Sequence, residues 1–451
     1  MKLKNIIIVL AAFLAVTGCE KKLDLAPISA VGENGFYTNT DEVESAVIAI
    51  YDGLQNVPLR EFALTEMRSD NSKSKSREGD WAQFESFQVK PTNLAIGDYW
   101  AANYNVIFRA NVVLEHLDAV TDADKKTQFE GEAKFARALA HFNLVRAFGD
   151  VPIIDKVIIQ SDEDYFGRDA ISDVLAAVDA DFTAAAALLP ATNDYGRATS
   201  GAATALLGKV KLTAGDHAGA QAVLAPLVSG GMYTLESDYH DVFYKEGNNE
   251  VMFAIAYVND DVNESQDFSY EMTAFGSKSG LNYLTTDFKT SISINDSIRQ
   301  PVLVSQNNSN ETGKYLTTSA DIRKCGNDWI VIRYADVLLL YAEAIMGEAN
   351  ATADATAITA YNEVRARAGQ SELVIGVDVL EKAALSDERR FELAFENHRF
   401  YDLIRFGYAQ SVLSNFAVSE NYNFEPSDLL LPIPQAEINV SAGKLTQNPG
   451  Y

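Results

Sequence analysis

The stretch YWAANYNVIFRANVVLEHL at residues 99–117, followed after a short polar turn by FEGEAKFARALAHFNLVRAFGDVP at 129–152, decides the fold. In the first segment Trp100, Tyr104, Ile107, Phe108 and Leu114 share one face of a helical repeat. The second carries small and apolar residues nearly all round, the pattern of a helix buried between neighbours. Gly149 and then Pro152 stop it, in the usual order of a C-terminal glycine and a downstream proline.

The pair pattern then repeats along the chain. Leu175, Val178, Phe182, Ala185 and Leu189 line one face of a helix that ends at Pro190, and Ala203, Leu206, Leu207 and Val210 line the next, which ends at Gly215. A shorter helix follows in DHAGAQAVLAPLV. Helices resume at RYADVLLLYAEAIMG, ATAITAYNEVRARAG and DERRFELAFENHRFYDLIRFG. Earlier, Thr40 is placed to cap a helix that begins with Asp41, Glu42 and Glu44 and buries Val43, Val47 and Ile50. The segments from about 57 to 98 and from about 232 to 328 lose this period and read as irregular insertions, with one strand-like run, EVMFAIAYV. The expectation is therefore a mainly all-α chain: a tetratricopeptide-like superhelical scaffold of helix pairs, with long irregular insertions and minor β. The pairs fall at about 99–148, 172–228, 332–368 and 388–407, within one domain spanning 35–451. Small residues such as Ala205, Ala342, Ala344 and Ala366 sit where helices must approach, and the insertions form a functional surface over the scaffold.

The amino end has a different logic. Lys2 and Lys4 precede an apolar run from Ile6 to Val16, and Val16-Thr17-Gly18 leads into Cys19 in the stretch AVTGCEKKLDLAP, residues 15–27. This is the order of a secretory signal, too short to span a membrane permanently. Cysteine at the cleavage point is what lipid attachment needs, because the thiol receives the diacylglycerol, and VTGC resembles the lipobox of bacterial lipoproteins. Residues 1–18 are then the signal peptide, Cys19 the lipid anchor and 19–34 a tether. With only two cysteines in the chain, Cys325 is left alone and no intramolecular disulfide forms. Stability must come from a core, which a 451-residue chain that is 47% hydrophobic can build.

A formal charge of −26, from 63 acidic against 37 basic residues, repels phosphate backbones and excludes nucleic acid as a partner. No catalytic signature survives inspection. The five histidines form no His-Glu-x-x-His, Gly208-Lys209 lacks the rest of a phosphate loop, and FGSKSG puts Lys278 where a nucleophile elbow needs serine. NDDVNESQD at 259–267 alternates oxygen ligands but lacks the turn glycine of a calcium loop, so no metal and no cofactor is assigned. In DERRFELAFENHRFYDLIRFG, Arg389 and Glu392, Glu396 and Arg399, and Asp402 and Arg405 stand three apart, the spacing at which side chains pair along one helix. Trp100 and Trp329 begin helical segments and pack. Trp81 stands among Ser, Lys, Asp and Gly, and two readings of it stay open. It covers the apolar face of a sugar, or it tucks under its own loop.

Taken in order, these pieces resemble the SusD/RagB family of nutrient-uptake outer-membrane lipoproteins. The resemblance is carried by the lipobox cysteine with KKLDLAP, GFYTNTDEVESAVIAIYDGL, RSDN, YWAANYNVIFRAN, GEAKFARALAHFNLVRAFGDVPI, RYADVLLLYAEA, YNEVRARAG, ERRFELAFENHRFYDLIRFG, and LLPIPQAEI with QNPGY. It spans essentially the whole chain. It implies four tetratricopeptide-like pairs with a ligand face built from the insertions, placed on the cell surface. It also implies capture of an oligosaccharide, or in some members a peptide, without enzymatic activity. The partner so implied is a SusC-like TonB-dependent outer-membrane transporter, which the protein caps; an assembly or lid role with little ligand affinity is the alternative. Carried over by region, Arg68, Asp70, Asn71 and Trp81 fall in the first binding insertion, and Tyr270, Phe275 and Tyr283 in the second. The short insertions of this chain suit a short oligosaccharide or a peptide better than a large helical glucan.

Overall fold

The computed structural model describes residues 36–75, 79–159, 161–273 and 282–451. Cys19, the signal segment, the tether and Phe275 lie outside the described residues. Helices account for 55% of the described residues and strands for 6%, which places the protein in the mainly α class.

The scaffold is a stack of paired helices, each packed on the next. Helix α1 (Thr40–Leu54) starts where Asn39 Oδ1 accepts the Glu42 N–H at 3.1 Å, one residue before the cap expected at Thr40. After α2 (Pro58–Thr65), strand β1 (Ser72–Ser74) and α3 (Gly79–Glu85) come the two long helices, α4 (Leu94–Glu115) and α5 (Ala123–Phe148). Asp122 caps α5 by accepting from the Asp124 and Lys125 N–H groups, and Gly149 ends it at φ 76°, which costs glycine nothing. Helices α6 (Ile171–Leu188), α7 (Ser200–Thr213) and α8 (His217–Ser229) continue the stack. The contacts run α1 to α4, α4 to α5, and so on through α8. Helix α5 is buried on most of its circumference because α4 and α6 cover opposite sides. Phe108 departs from the expected face of α4 and is 45% exposed.

Strand β2 (Val251–Ile255), helix α9 (Phe268–Met272), strand β3 (Asn282–Leu284) and helix α10 (Thr286–Asn295) lie within the second insertion. Trp329 begins a strand rather than a helix: β4 (Trp329–Arg333) pairs antiparallel with β2 and runs directly into α11 (Tyr334–Met346). The ring of Trp329 is buried against Phe268 and Tyr315, with centroids at 5.1 and 5.8 Å. Helix α11 packs on α8 and on α12 (Ala355–Arg367), extending the stack. A two-residue ribbon of β5 (Ala351–Thr352) and β6 (Leu380–Glu381) leads to α13 (Lys382–Glu392), α14 (Arg399–Arg405), α15 (Ala409–Glu420) and α16 (Gln435–Val440).

Two expectations are corrected here. Residues 57–98 hold α2, β1 and α3, because Val57, Phe62, Leu64, Met67 and Phe84 all reach the core although polar residues dilute their spacing. In the segment 388–407 the charges do not pair along one helix as their spacing predicts. Phe395 and Asn397, at φ 64° and 69°, break it between α13 and α14, and its charges look outward from the segment instead of along it. Of the three expected local pairs only Asp402 with Arg405 forms, at 2.9 Å.

The other charges make a buried web with distant parts of the chain. Arg333, fully buried, donates to Glu250 and Glu392 at 2.6 Å and to Glu396 at 2.7 Å. Lys314 adds a bond to Glu396 at 2.5 Å, and Arg299 joins Glu388 at 2.7 Å and Glu392 at 2.9 Å. Arg389 bridges Asp402 and Asp336, and Lys209 meets Asp336 at 2.9 Å. Burial would raise Glu396 and Asp336, but Arg333 and Lys314 on the first, and Lys209 and Arg389 on the second, hold both carboxyls below their ordinary values. Such pairs are dear to desolvate, and losing one partner strands a buried charge.

Candidate functional site

The two insertions meet in a small antiparallel ribbon. Ser72 faces Leu284, Lys73 faces Tyr283 and Ser74 faces Asn282. The alternation Ser72-Lys73-Ser74-Lys75 is a period-two pattern that puts the serines inward, where Ser72 Oγ donates to the Glu66 carbonyl at 2.9 Å, and the lysines outward. Helix α3 packs beside β1 and helix α9 beside β3, so the elements carrying Trp81, Tyr283 and Tyr270 are contiguous.

Arg68, Asp70 and Asn71 are not on that face, which corrects their assignment as ligand contacts. Arg68 is 1% exposed; it donates to the carbonyls of Leu64 and Asp428, and its guanidinium lies 4.1 Å over the Phe400 ring. Asp70 accepts two bonds from Arg399, at 2.7 and 2.9 Å, and Arg390 stands 3.1 Å away. Burial pushes its carboxyl up, but these arginines outweigh burial and hold it below the usual range. Asn71 accepts from Arg390 Nε at 2.8 Å, and its carbonyl accepts the Thr285 N–H at 2.9 Å. These residues are the floor that fastens the first insertion to the second and both to α13 and α14.

On the solvent side, Tyr283 is half-buried, with Lys73 opposite it across the ribbon and the Lys75 ammonium 5.9 Å from its ring centre. Lys73 bonds Glu420, from the distant helix α15, at 2.9 Å. Tyr270 is half-buried, and the guanidinium of Arg323 covers its ring at 4.2 Å. Trp81 lies in α3, half-buried, and stacks on Phe62, with centroids 5.6 Å apart and planes 24° apart, so one ring face is taken. Lys73, Lys75 and Arg323 were missed in the sequence. The period-two run from Ser72 was the signal for the lysines, whereas nothing local announces Arg323. The face therefore offers aromatic surface with cationic donors beside it, the combination that stacks on a ring and bonds its hydroxyls.

In the acidic loop at 259–267 two carboxylates are spent on backbone and that of Glu264 accepts from the Gln55 side chain at 2.8 Å. Asp260 accepts from the Ala320 and Asp321 N–H groups and Asp261 from those of Asn263 and Glu264. Among the described residues no three His, Cys, Asp or Glu side chains converge as metal ligands, and no helix is long and apolar enough to cross a membrane.

A stack of helix pairs with a loop-built face of aromatic and basic side chains defines the class: a helical-repeat scaffold protein. Two family models then divide the chain between them. Residues 254–451 match the SusD family, and residues 23–212 match a model described as starch-binding associating with outer membrane. The chain belongs to the SusD family. It is 24% identical to a SusD-like protein of Formosa agariphila over 100% of both chains. Among solved structures it is similar to a laminarin-binding SusD-like protein, at 26% identity and a TM-score of 0.78, covering 92% of this chain and 100% of that one. The surface glycan-binding protein A from Bacteroides thetaiotaomicron, solved in complex with laminarihexaose, shares the fold at 22% identity and a TM-score of 0.76, with coverage of 91% and 100%.

Proposed function

We propose that this protein is a cell-surface lipoprotein that captures an oligosaccharide on the ribbon face and delivers it to a SusC-like TonB-dependent transporter, without catalysis of its own. The observation that carries the reading is the Lys73–Tyr283 pair, an aromatic ring held at the junction of both insertions with basic donors on either side. The ligands named for the laminarin-binding relative and for the laminarihexaose complex support a glycan as the ligand class. The lipobox sequence at Cys19 supports anchorage by lipid to the outer membrane.

Stacking plus a few hydrogen bonds gives affinities of about 4–8 kcal/mol, micromolar to millimolar. Titration calorimetry of wild type, Tyr283→Ala and Lys73→Ala against β-1,3-glucan, starch and peptide panels tests the site. Binding of one glycan class that Tyr283→Ala weakens at least tenfold, roughly the value of one lost aromatic platform, is the expected result. Equal binding by all three proteins removes the ribbon from the site. No binding by wild type, together with co-purification of an outer-membrane barrel, would assign a lid role instead. Mass spectrometry of the mature protein reports whether residue 19 carries lipid.

A further inference from the structure

A cavity of about 470 Å³ lies away from the ribbon, between α4, the segment that follows α5 and the C-terminal segment around α16. Its floor is Trp100 and Tyr104, whose ring centroids are 5.0 Å apart. Ile154, Tyr165 and Phe166 form one wall. Val440 and Leu445 form the other, and the Lys444–Glu163 pair at 3.0 Å ties the two walls together. The volume is that of a small-molecule site, and the lining is predominantly apolar.

Its polar groups are nearly all committed. Tyr104 Oη donates to the Pro152 carbonyl at 2.9 Å and Tyr165 Oη to Asp155 at 3.1 Å. Ser441 Oγ donates to the Ile438 carbonyl and accepts the Leu445 N–H. Besides the Trp100 indole N–H, which is a donor, the exception is Glu437. Its carboxylate lines the cavity half-buried and makes no hydrogen bond or ion pair among the described residues. Burial pushes this carboxyl up, and no neighbouring cation offsets it.

A sugar does not suit this lining. Each hexose carries several hydroxyls, one free acceptor serves one or two of them, and every hydroxyl buried without a partner costs about 1–3 kcal/mol. A single apolar body bearing one ammonium gathers its three N–H donors at one end, where the half-exposed Glu437 carboxylate accepts from it and water at the cleft mouth takes the rest. We propose that this cleft binds an apolar primary amine, its aromatic or branched body between Trp100, Tyr104 and Leu445 and its ammonium on Glu437. The amine is either a free small molecule or the amino terminus of a peptide that begins with such a residue. The inference does not rest on the glycan reading of the ribbon, which shares no residue with the cleft.

The test uses the full chain and four probes: phenethylamine, its neutral isostere 2-phenylethanol, the tripeptide Phe-Gly-Gly, and that peptide N-acetylated. Phenethylamine should bind at least about tenfold more tightly than the alcohol, the usual worth of a hydrogen bond to a charged group. Glu437→Gln should erase that preference. Ala101→Trp, at an exposed position on the rim, should block both probes and keeps the test valid if the first variant misfolds. Binding of Phe-Gly-Gly but not its acetylated form assigns the peptide source, and binding of phenethylamine alone assigns the free amine. Equal affinity for amine and alcohol, no saturable binding at millimolar concentrations, or displacement of the amine by a glycan would overturn the proposal.

Discussion

Replacing Glu66 by glutamine should make the protein more stable, and increasingly so as pH rises. Glu66 sits in the turn beneath β1, 1% exposed. One carboxylate oxygen accepts the Asn397 N–H at 2.8 Å, and the other is buried without a partner. Burial pushes the group up to about 8 from 4.5, although the Asn397 N–H and Lys314 pull the other way. A raised acid holds a proton in the folded state that the unfolded chain has already released. Its contribution is therefore complete below about pH 4.5 and is lost as pH climbs through about 8, at roughly 1.4 kcal/mol per pH unit and about 4–5 kcal/mol in all. Glutamine has the shape of the protonated acid and does not titrate. Burial lowers Lys314 to about 8, which gives an opposite slope only above that pH, so the comparison is made at pH 8 and below. Urea unfolding at about pH 5, 6.5 and 8, followed by tryptophan fluorescence, should show the gap widening in favour of Glu66→Gln by about that slope. A gap that stays constant with pH, or a variant less stable at the alkaline end, refutes the assignment of a protonated Glu66.

Other outcomes follow from the same packing. Arg333→Met leaves Glu250, Glu392 and Glu396 short of a cation and should cost about 3–5 kcal/mol in denaturant melts; an unchanged midpoint would mean the web is not coupled. A Cβ on Gly208 would stand 2.4 Å from Leu224, where α7 meets α8, so Gly208→Ala should cost about 1–3 kcal/mol, and adding Leu224→Ala should recover part of it in a double-mutant cycle. Asp402 is buried, yet Arg389 and Arg405 outweigh burial and hold it at about 2; its contribution is present above 3.8 and lost as pH falls through about 2, so Asp402→Asn should make acid unfolding, followed by circular dichroism, less steep.

The scaffold was legible because its helices advertise themselves. The stop at Gly149 and the apolar faces of α4 to α7 are local signals, and local signals survive in one sequence. The insertions were less legible. Phe62 and Phe84 are core residues whose spacing polar neighbours dilute, and Trp81 packs on Phe62 although nothing apolar precedes it in the chain for ten residues. The charges of 388–407 taught the sharper lesson. Spacing of three predicted local pairing, but the positive φ at Phe395 and Asn397 turns Arg399 toward Asp70 and Glu396 toward Arg333 and Lys314. Spacing rules assume an unbroken helix, and a break costs them their geometry. The same event buries Asp70 and Asn71 beneath the ribbon, while Lys73, two residues on from Asn71, stays on its outer side.

The dependence of the first insertion on the last helices also sets an order of events during biosynthesis. Asp70 emerges from the ribosome long before its guanidinium partner, which follows 329 positions later. Until that partner arrives, the early carboxylate has only water to turn to, so the first insertion stays hydrated and pliant. A polypeptide of this kind closes late, because the final stretch acts as the clasp.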